Sequence, residues 1–128
     1  MLTFLLVLLP AMTPDANPGQ ALRGAWGGPH VSLSLTTDGG VAEFDCAHGD
    51  ITQAVVPDRD GRFDVAGHYS EEHGGPQREG ERASYPVRYA GRVTSNRMTL
   101  TVTRSDTRER LGRFTLERDR EPEIVKCR

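Results

Sequence analysis

The fold turns on "YPVRYAGRVTSNRMTLTVTR", residues 85–104. Tyr85, Val87, Tyr89, Gly91 and Val93 alternate with Pro86, Arg88, Ala90 and Arg92. After Thr94, Ser95 and Asn96 the alternation restarts, with Met98, Leu100 and Val102 set against Thr99, Thr101 and Thr103. Successive side chains of a strand point to opposite faces, so a period of two predicts two β-strands, each with one apolar and one polar face. The Thr, Val and Tyr content favours the same conformation. The short polar link at 94–96 reads as a hairpin connection.

Most of the remaining chain reads the same way. "HVSLSLTT" (30–37) sets Val31, Leu33 and Leu35 against His30, Ser32 and Ser34, and "VAEFDCA" (41–47) puts Ala42, Phe44 and Cys46 on one face. "RFDVAGHY" (62–69) gives Phe63, Val65, Gly67 and Tyr69, and "GRFTLER" (112–118) gives Phe114 and Leu116. Turn residues fall between these segments, "TDGG" before Val41 and "PDRDG" before Phe63 among them. "GDITQAVVP" (49–57) fits a short strand or an extended crossing, and "EIVKC" (123–127) fits a closing strand. No segment carries a 3.6-residue apolar stripe. An all-β chain with one-faced strands must close its sheet or stack it. The short loops predict an up-and-down antiparallel barrel of seven or eight strands, with a flattened β-sandwich as the alternative. One longer polar stretch, "EEHGGPQREGERAS" (71–84), exceeds what a hairpin needs and reads as a mobile or functional loop.

The chain has 128 residues, enough for one domain. "LTFLLVLLPAM" (2–12) is uncharged and apolar, the length of a signal-peptide core and far short of the ~20 residues that span a membrane. A signal peptide over 1–20, cut between Ala16 and Ala21, and a single domain over 21–128 are therefore expected, with an uncleaved tether as the alternative. That places the protein outside the cytoplasm, secreted or periplasmic, with no stable membrane insertion after cleavage. The whole chain carries a formal charge of −2, without the basic surplus of a nucleic-acid binder.

"EFDCAHGDI" (43–51) holds Cys46, His48 and Asp50. In an exported protein with two cysteines, Cys46 and Cys127 are expected to pair. Cys46 shares a predicted strand face with Phe44 and should point inward. A bridge closing about 80 residues contributes roughly 4 to 4.5 kcal/mol. Two alternatives use the same residues. A structural zinc site on Cys46 and His48 needs four ligands, and nothing in the spacing brings other histidines near. A catalytic thiolate needs an adjacent base and protection from oxidation. His48 reads as a turn residue ahead of Gly49, hydrogen-bonded locally.

His30, Asp45, His48 and His68 are the candidate site residues if the chain has a site. His30 and Asp45 become neighbours if the first two strands form a hairpin, and a His–carboxylate pair can move protons. It is more often a surface contact. No nucleophile elbow, phosphate loop or His-Glu-x-x-His is present, and "DRDG" (58–61) is too short of ligands for calcium and reads as a turn. No cofactor or catalytic residue is expected.

"LRGAWGG" (22–28) contains the only Trp. A Gly-x-Trp opening the first strand resembles the calycin group: lipocalins, avidins and the small barrel inhibitors of bacterial metalloproteases. The resemblance implies a Trp plugging one barrel end with a late-strand Arg packed over it, here Arg113 or Arg118. "GAWGGPH", "EFDCAHG" and "GRFDVAGHY" together also resemble a set of small secreted bacterial proteins, a likeness that carries over no catalytic residue. The inward set Leu33, Phe44, Phe63, Tyr69, Tyr89, Met98 and Phe114 is large enough to fill so small a barrel. The expected function is therefore a binding or interaction module for a protein or small molecule, inhibitor-like if the partner is a protein. A small secreted enzyme using His and Asp residues, metal-dependent or not, is the alternative. It predicts that His30, His48 and an acid converge in a cleft.

Overall fold

The computed structural model describes residues 19–72 and 84–127. Eight strands follow one another: β1 (Gly24–Gly28), β2 (Val31–Thr36), β3 (Gly39–Phe44), β4 (Ala47–Ile51), β5 (Arg62–Glu71), β6 (Ser84–Thr94), β7 (Arg97–Arg104) and β8 (Arg110–Arg118). Each pairs antiparallel with the next, and β8 returns to β1, closing an up-and-down barrel. Among the described residues there is no helix. The 71–84 loop expected from the sequence falls almost wholly on residues 73–83, outside the described residues.

Register follows from the alternation. Tyr89 faces Val102, Gly91 faces Leu100 and Val93 faces Met98 across β6 and β7, so apolar side chains meet on the inner surface. A slip by one residue would turn every one of them to solvent. Leu33, Phe44, Tyr89, Met98, Leu100, Val102 and Leu116 are almost completely buried. From β6, Tyr89 leans over β5 toward β4, and its hydroxyl donates to the His68 carbonyl at 2.7 Å. It fits because β4 and β5 present glycines there: a Cβ on Gly49 would strike the Tyr89 hydroxyl, and one on Gly67 its ring.

One end, the floor, is closed. Trp26 is 1% exposed, and the Arg118 guanidinium lies 4.4 Å from the centre of its ring. Of the two arginines the sequence left open, Arg118 takes this place. The Leu22 N–H donates to the Val55 carbonyl at 2.7 Å, and Val55 and Pro57, on the crossing from β4 to β5, are buried. Both readings of residues 49–57 thus occur in series: β4 ends at Ile51 and an extended crossing follows. "DRDG" is the turn expected, with Asp58 Oδ1 accepting from the Asp60 and Arg62 N–H groups.

Four local expectations are corrected. "EIVKC" is not the closing strand; its backbone pairing is a single bridge between Glu123 and Pro29. β1 already pairs with β8 at Trp26 and Gly27, and Pro122 has no N–H with which to start a ladder. Cys46 does not point inward from a strand. It sits with Asp45 in a two-residue turn between Phe44 and Ala47, at φ +54°, half-buried. His30 lies not on a strand but in the β1–β2 turn, at φ +70°. His48 is not a locally bonded turn residue: it faces outward from β4 and bonds Glu72.

Candidate functional site

The other end of the barrel, the mouth, carries the Pro29–His30 and Asp45–Cys46 turns, the far ends of β5 and β6, and the link from β7 to β8. Four aromatic side chains gather on the inner face here. Phe44 packs against Tyr69 and Phe114, with ring centres 5.2 Å apart in both pairs, and Tyr69 stacks on Tyr85 at 5.8 Å. Arg104 covers Tyr85 at 4.0 Å and is held by a two-pronged bond to Asp106. The Tyr85 hydroxyl donates to Glu71. Burial, followed by the Glu71 carboxylate, pushes the Tyr85 phenol well up, so it stays a donor.

Between this cluster and the hairpin tips lies a groove of about 460 Å³. Pro29, His30 and Asp45 form one lip, Phe44 and Tyr69 lie at its base, and residues 111–115 of β8 form the other lip. The groove exists because the barrel wall is incomplete here. β1 pairs with β8 only at Trp26–Arg118 and Gly27–Glu117. The next position on β1 that would face β8 is Pro29, which lacks an N–H and turns the chain into β2.

The tail fastens one lip. After β8 the chain runs back along β1, and Val125 N–H donates to Asp45 Oδ1 at 2.8 Å. Lys126 Nζ donates to the Phe44 and Ala47 carbonyls at 3.1 and 3.0 Å and pairs with Glu43 and Glu72. Cys127 is then joined to Cys46, with Cα atoms 4.9 Å apart. The sulfur pair expected from the sequence thus stands at the rim and not in the core.

His30 and Asp45 are hydrogen-bonded on the lip, as the sequence allowed. His48 bonds Glu72 at 2.7 Å, and His68 bonds Asp50 at 3.0 Å on the outer wall. Each of these three histidines therefore has its own carboxylate, and the convergence of His30, His48 and one acid that an enzyme reading required is not seen among the described residues. Among the described residues no three His, Cys, Asp or Glu side chains gather as a metal ion would need. Sequence reading missed Lys126, Glu72 and Arg104. Arg104 was within reach: one more step of the Met98–Leu100–Val102 alternation puts it on the inner face.

The rim carries a pH dependence. The Val125 N–H holds the Asp45 carboxyl below its ordinary 3.8, against burial and with help from His30. Burial pushes the Glu72 carboxyl up, but His48 and Lys126 outweigh it and hold it below 4.5. Burial pulls the Lys126 ammonium down, but Glu43 and Glu72 outweigh it and hold it above 10.5. Depressed carboxyl values stabilise the fastened tail above 3.8 and 4.5 and lose that effect as pH falls through the folded-state values. The raised lysine stabilises it below 10.5 and is lost in strong alkali. The Val125 amide resonance is therefore expected to titrate with a midpoint below 3.8 and to stop doing so in Asp45→Asn.

No family model, curated protein or solved structure matches the chain.

Proposed function

We propose that this protein is an exported β-barrel binding module, lipocalin-like in build, whose site is the groove at the mouth. One observation carries the reading: the barrel is plugged at the Trp26 end and its wall is open at the aromatic end, beside about 460 Å³ of accessible space. Pockets that hold small-molecule ligands run from ~300 to 1,000 Å³, mostly apolar with a few fixed polar groups. Phe44, Tyr69, Leu111 and Phe114 supply the apolar part, and the His30–Asp45 pair supplies polar atoms at the lip.

Export is supported by the Cys46–Cys127 pair, since disulfides persist in oxidising compartments. Among the described residues no helix is long and apolar enough to cross a membrane, which is compatible with that reading. The Trp26–Arg118 contact supports the likeness to calycins. The interior is occupied by side chains, so the ligand is taken at the rim, as an inhibitor-like protein binder would take it. Titrating the disulfide-bonded protein with a panel of aromatic and branched-chain compounds, followed by amide NMR, tests the site. Shifts should cluster at Phe44, Tyr69 and residues 111–115. Shifts confined to the floor, around residues 94–97 and Arg118, would place the site elsewhere.

A further inference from the structure

We infer that the groove takes an extended peptide as an added strand on the free edge of β8, an apolar side chain entering the aromatic cluster and acidic ones meeting Arg110 and Arg113. This deepens the binding-module reading and rests on it. The Arg118 N–H donates to the Asn96 carbonyl, on the β7 side. Backbone groups alternate along a strand, so Leu116 and Phe114 also face β7, while Glu117, Thr115 and Arg113 face the other way. Glu117 is met by Gly27. Thr115 has its carbonyl against the Gly28 Cα, where a Cβ would collide with it. Arg113 comes next, past the point where β1 turns away at Pro29; it lines the groove, and by the same alternation its N–H and C=O point away from β7, toward the side β1 has left.

An exposed strand edge is a template for another strand, and peptides bind such edges through main-chain bonds with alternate side chains in pockets. The pocket lies on the correct side: Phe114 and Gly112 face the inner surface beside Phe44, and a Cβ on Gly112 would press on the Phe114 ring. Every second residue of an added strand would point into this cluster. The residues between would lie on the outer surface next to Arg113, which faces Thr101, and Arg110, which faces Thr103. Among the described residues neither arginine makes an ion pair, whereas Arg88, Arg104 and Arg120 do. Unpaired cations on that lip favour a carboxylate-bearing partner and disfavour a basic one.

The test uses the full disulfide-bonded chain and end-blocked octapeptides that alternate Glu and Leu. Binding should slow hydrogen exchange at the Arg113 amide. N-methylation of the peptide on its edge-facing amides should weaken it about tenfold, the loss of one or two main-chain bonds. A Lys–Leu peptide should bind more weakly than the Glu–Leu one, and Arg113→Glu should reverse that order. Arg113→Pro removes an N–H that faces away from β7, so the barrel should still fold while the peptide loses affinity beyond the loss in Arg113→Ala. If peptides bind but neither N-methylation nor Arg113→Pro matters, strand addition is wrong and the groove reads apolar groups alone. If small apolar compounds shift Phe44 and Phe114 while no peptide binds, the inference fails and the binding module stands. If neither kind of probe perturbs the groove, both readings fail.

Discussion

Replacing Cys46 and Cys127 together by serine is expected to lower folding stability by about 4 kcal/mol. The bridge spans 81 residues of sequence, and chain-entropy reasoning gives a closed loop of this length that value. The effect is large against the ~5 to 15 kcal/mol that holds a small domain together. Urea unfolding with and without reductant measures it, and a loss below about 1 kcal/mol would remove entropy of the unfolded chain as the bridge's main contribution. A second comparison separates the bridge from its backbone. Cys46 sits at φ +54°, where a Cβ is crowded. The pair Cys46→Gly and Cys127→Ser should therefore cost less than Cys46→Ser and Cys127→Ser. The difference is expected to be about 0.5 to 1 kcal/mol, reduced by glycine's greater freedom when unfolded. Release of Cys127 should also detach Val125 from Asp45 and Lys126 from the Phe44 and Ala47 carbonyls, loosening one lip of the groove before the barrel melts.

The sheet was legible because inner and outer residues obey a strict two-residue period. Tyr89, Met98 and Leu100 could not face inward unless their neighbours Arg88, Arg97 and Thr99 faced out. Cysteine arithmetic found the sulfur pair for a different reason: an even count of two, read with the expectation of export, leaves thiols few other fates. Their position was not legible. Asp45 and Cys46 lack the Asn-Gly or Asp-Gly signature of a two-residue turn, so the alternation appeared to run through them. The restart of inward positions at Ala47, Gly49 and Ile51 was the only trace of the break.

The groove was harder still to see. It depends on Pro29 ending the β1–β8 ladder after two pairs, a three-dimensional consequence of one missing N–H. The same holds for the tail. Lys126 is the only lysine, but nothing local says that it reaches carbonyls some 80 positions away; the bond at Cys127 brings it there. Of the candidate histidines, His30 does meet Asp45, although from a turn and not from the strand face expected of it. The carboxylates Glu72 and Asp50 that hold the other two lie across strand pairs whose register only the folded barrel defines.

Tyr89→Ala is expected to cost about 3 to 5 kcal/mol, the range for removing a buried aromatic ring that its surroundings cannot replace. The barrel has little means of collapse at this level, because the positions the ring lies over are Gly49 and Gly67, which have no side chain to move into the space. Tyr89→Phe isolates the hydroxyl and should cost about 1 kcal/mol, since the His68 carbonyl keeps no other hydrogen-bond donor from that ring. The reciprocal changes discriminate fit from composition. Gly49→Ala would press a methyl on the Tyr89 hydroxyl and the His68 carbonyl, and Gly67→Ala would press one on the Tyr89 ring and the Asp50 carbonyl. Each should destabilise by about 1 to 3 kcal/mol through overpacking, although alanine normally suits a strand better than glycine. Combining Gly49→Ala with Tyr89→Phe removes one of the two collisions, so the pair should cost about 1 kcal/mol less than the sum of its parts. Strict additivity in urea unfolding would mean that the Tyr89 hydroxyl and a methyl at position 49 do not share space. The room for Tyr89 would then be set by the course of β4 and β5 and not by the missing Cβ at Gly49.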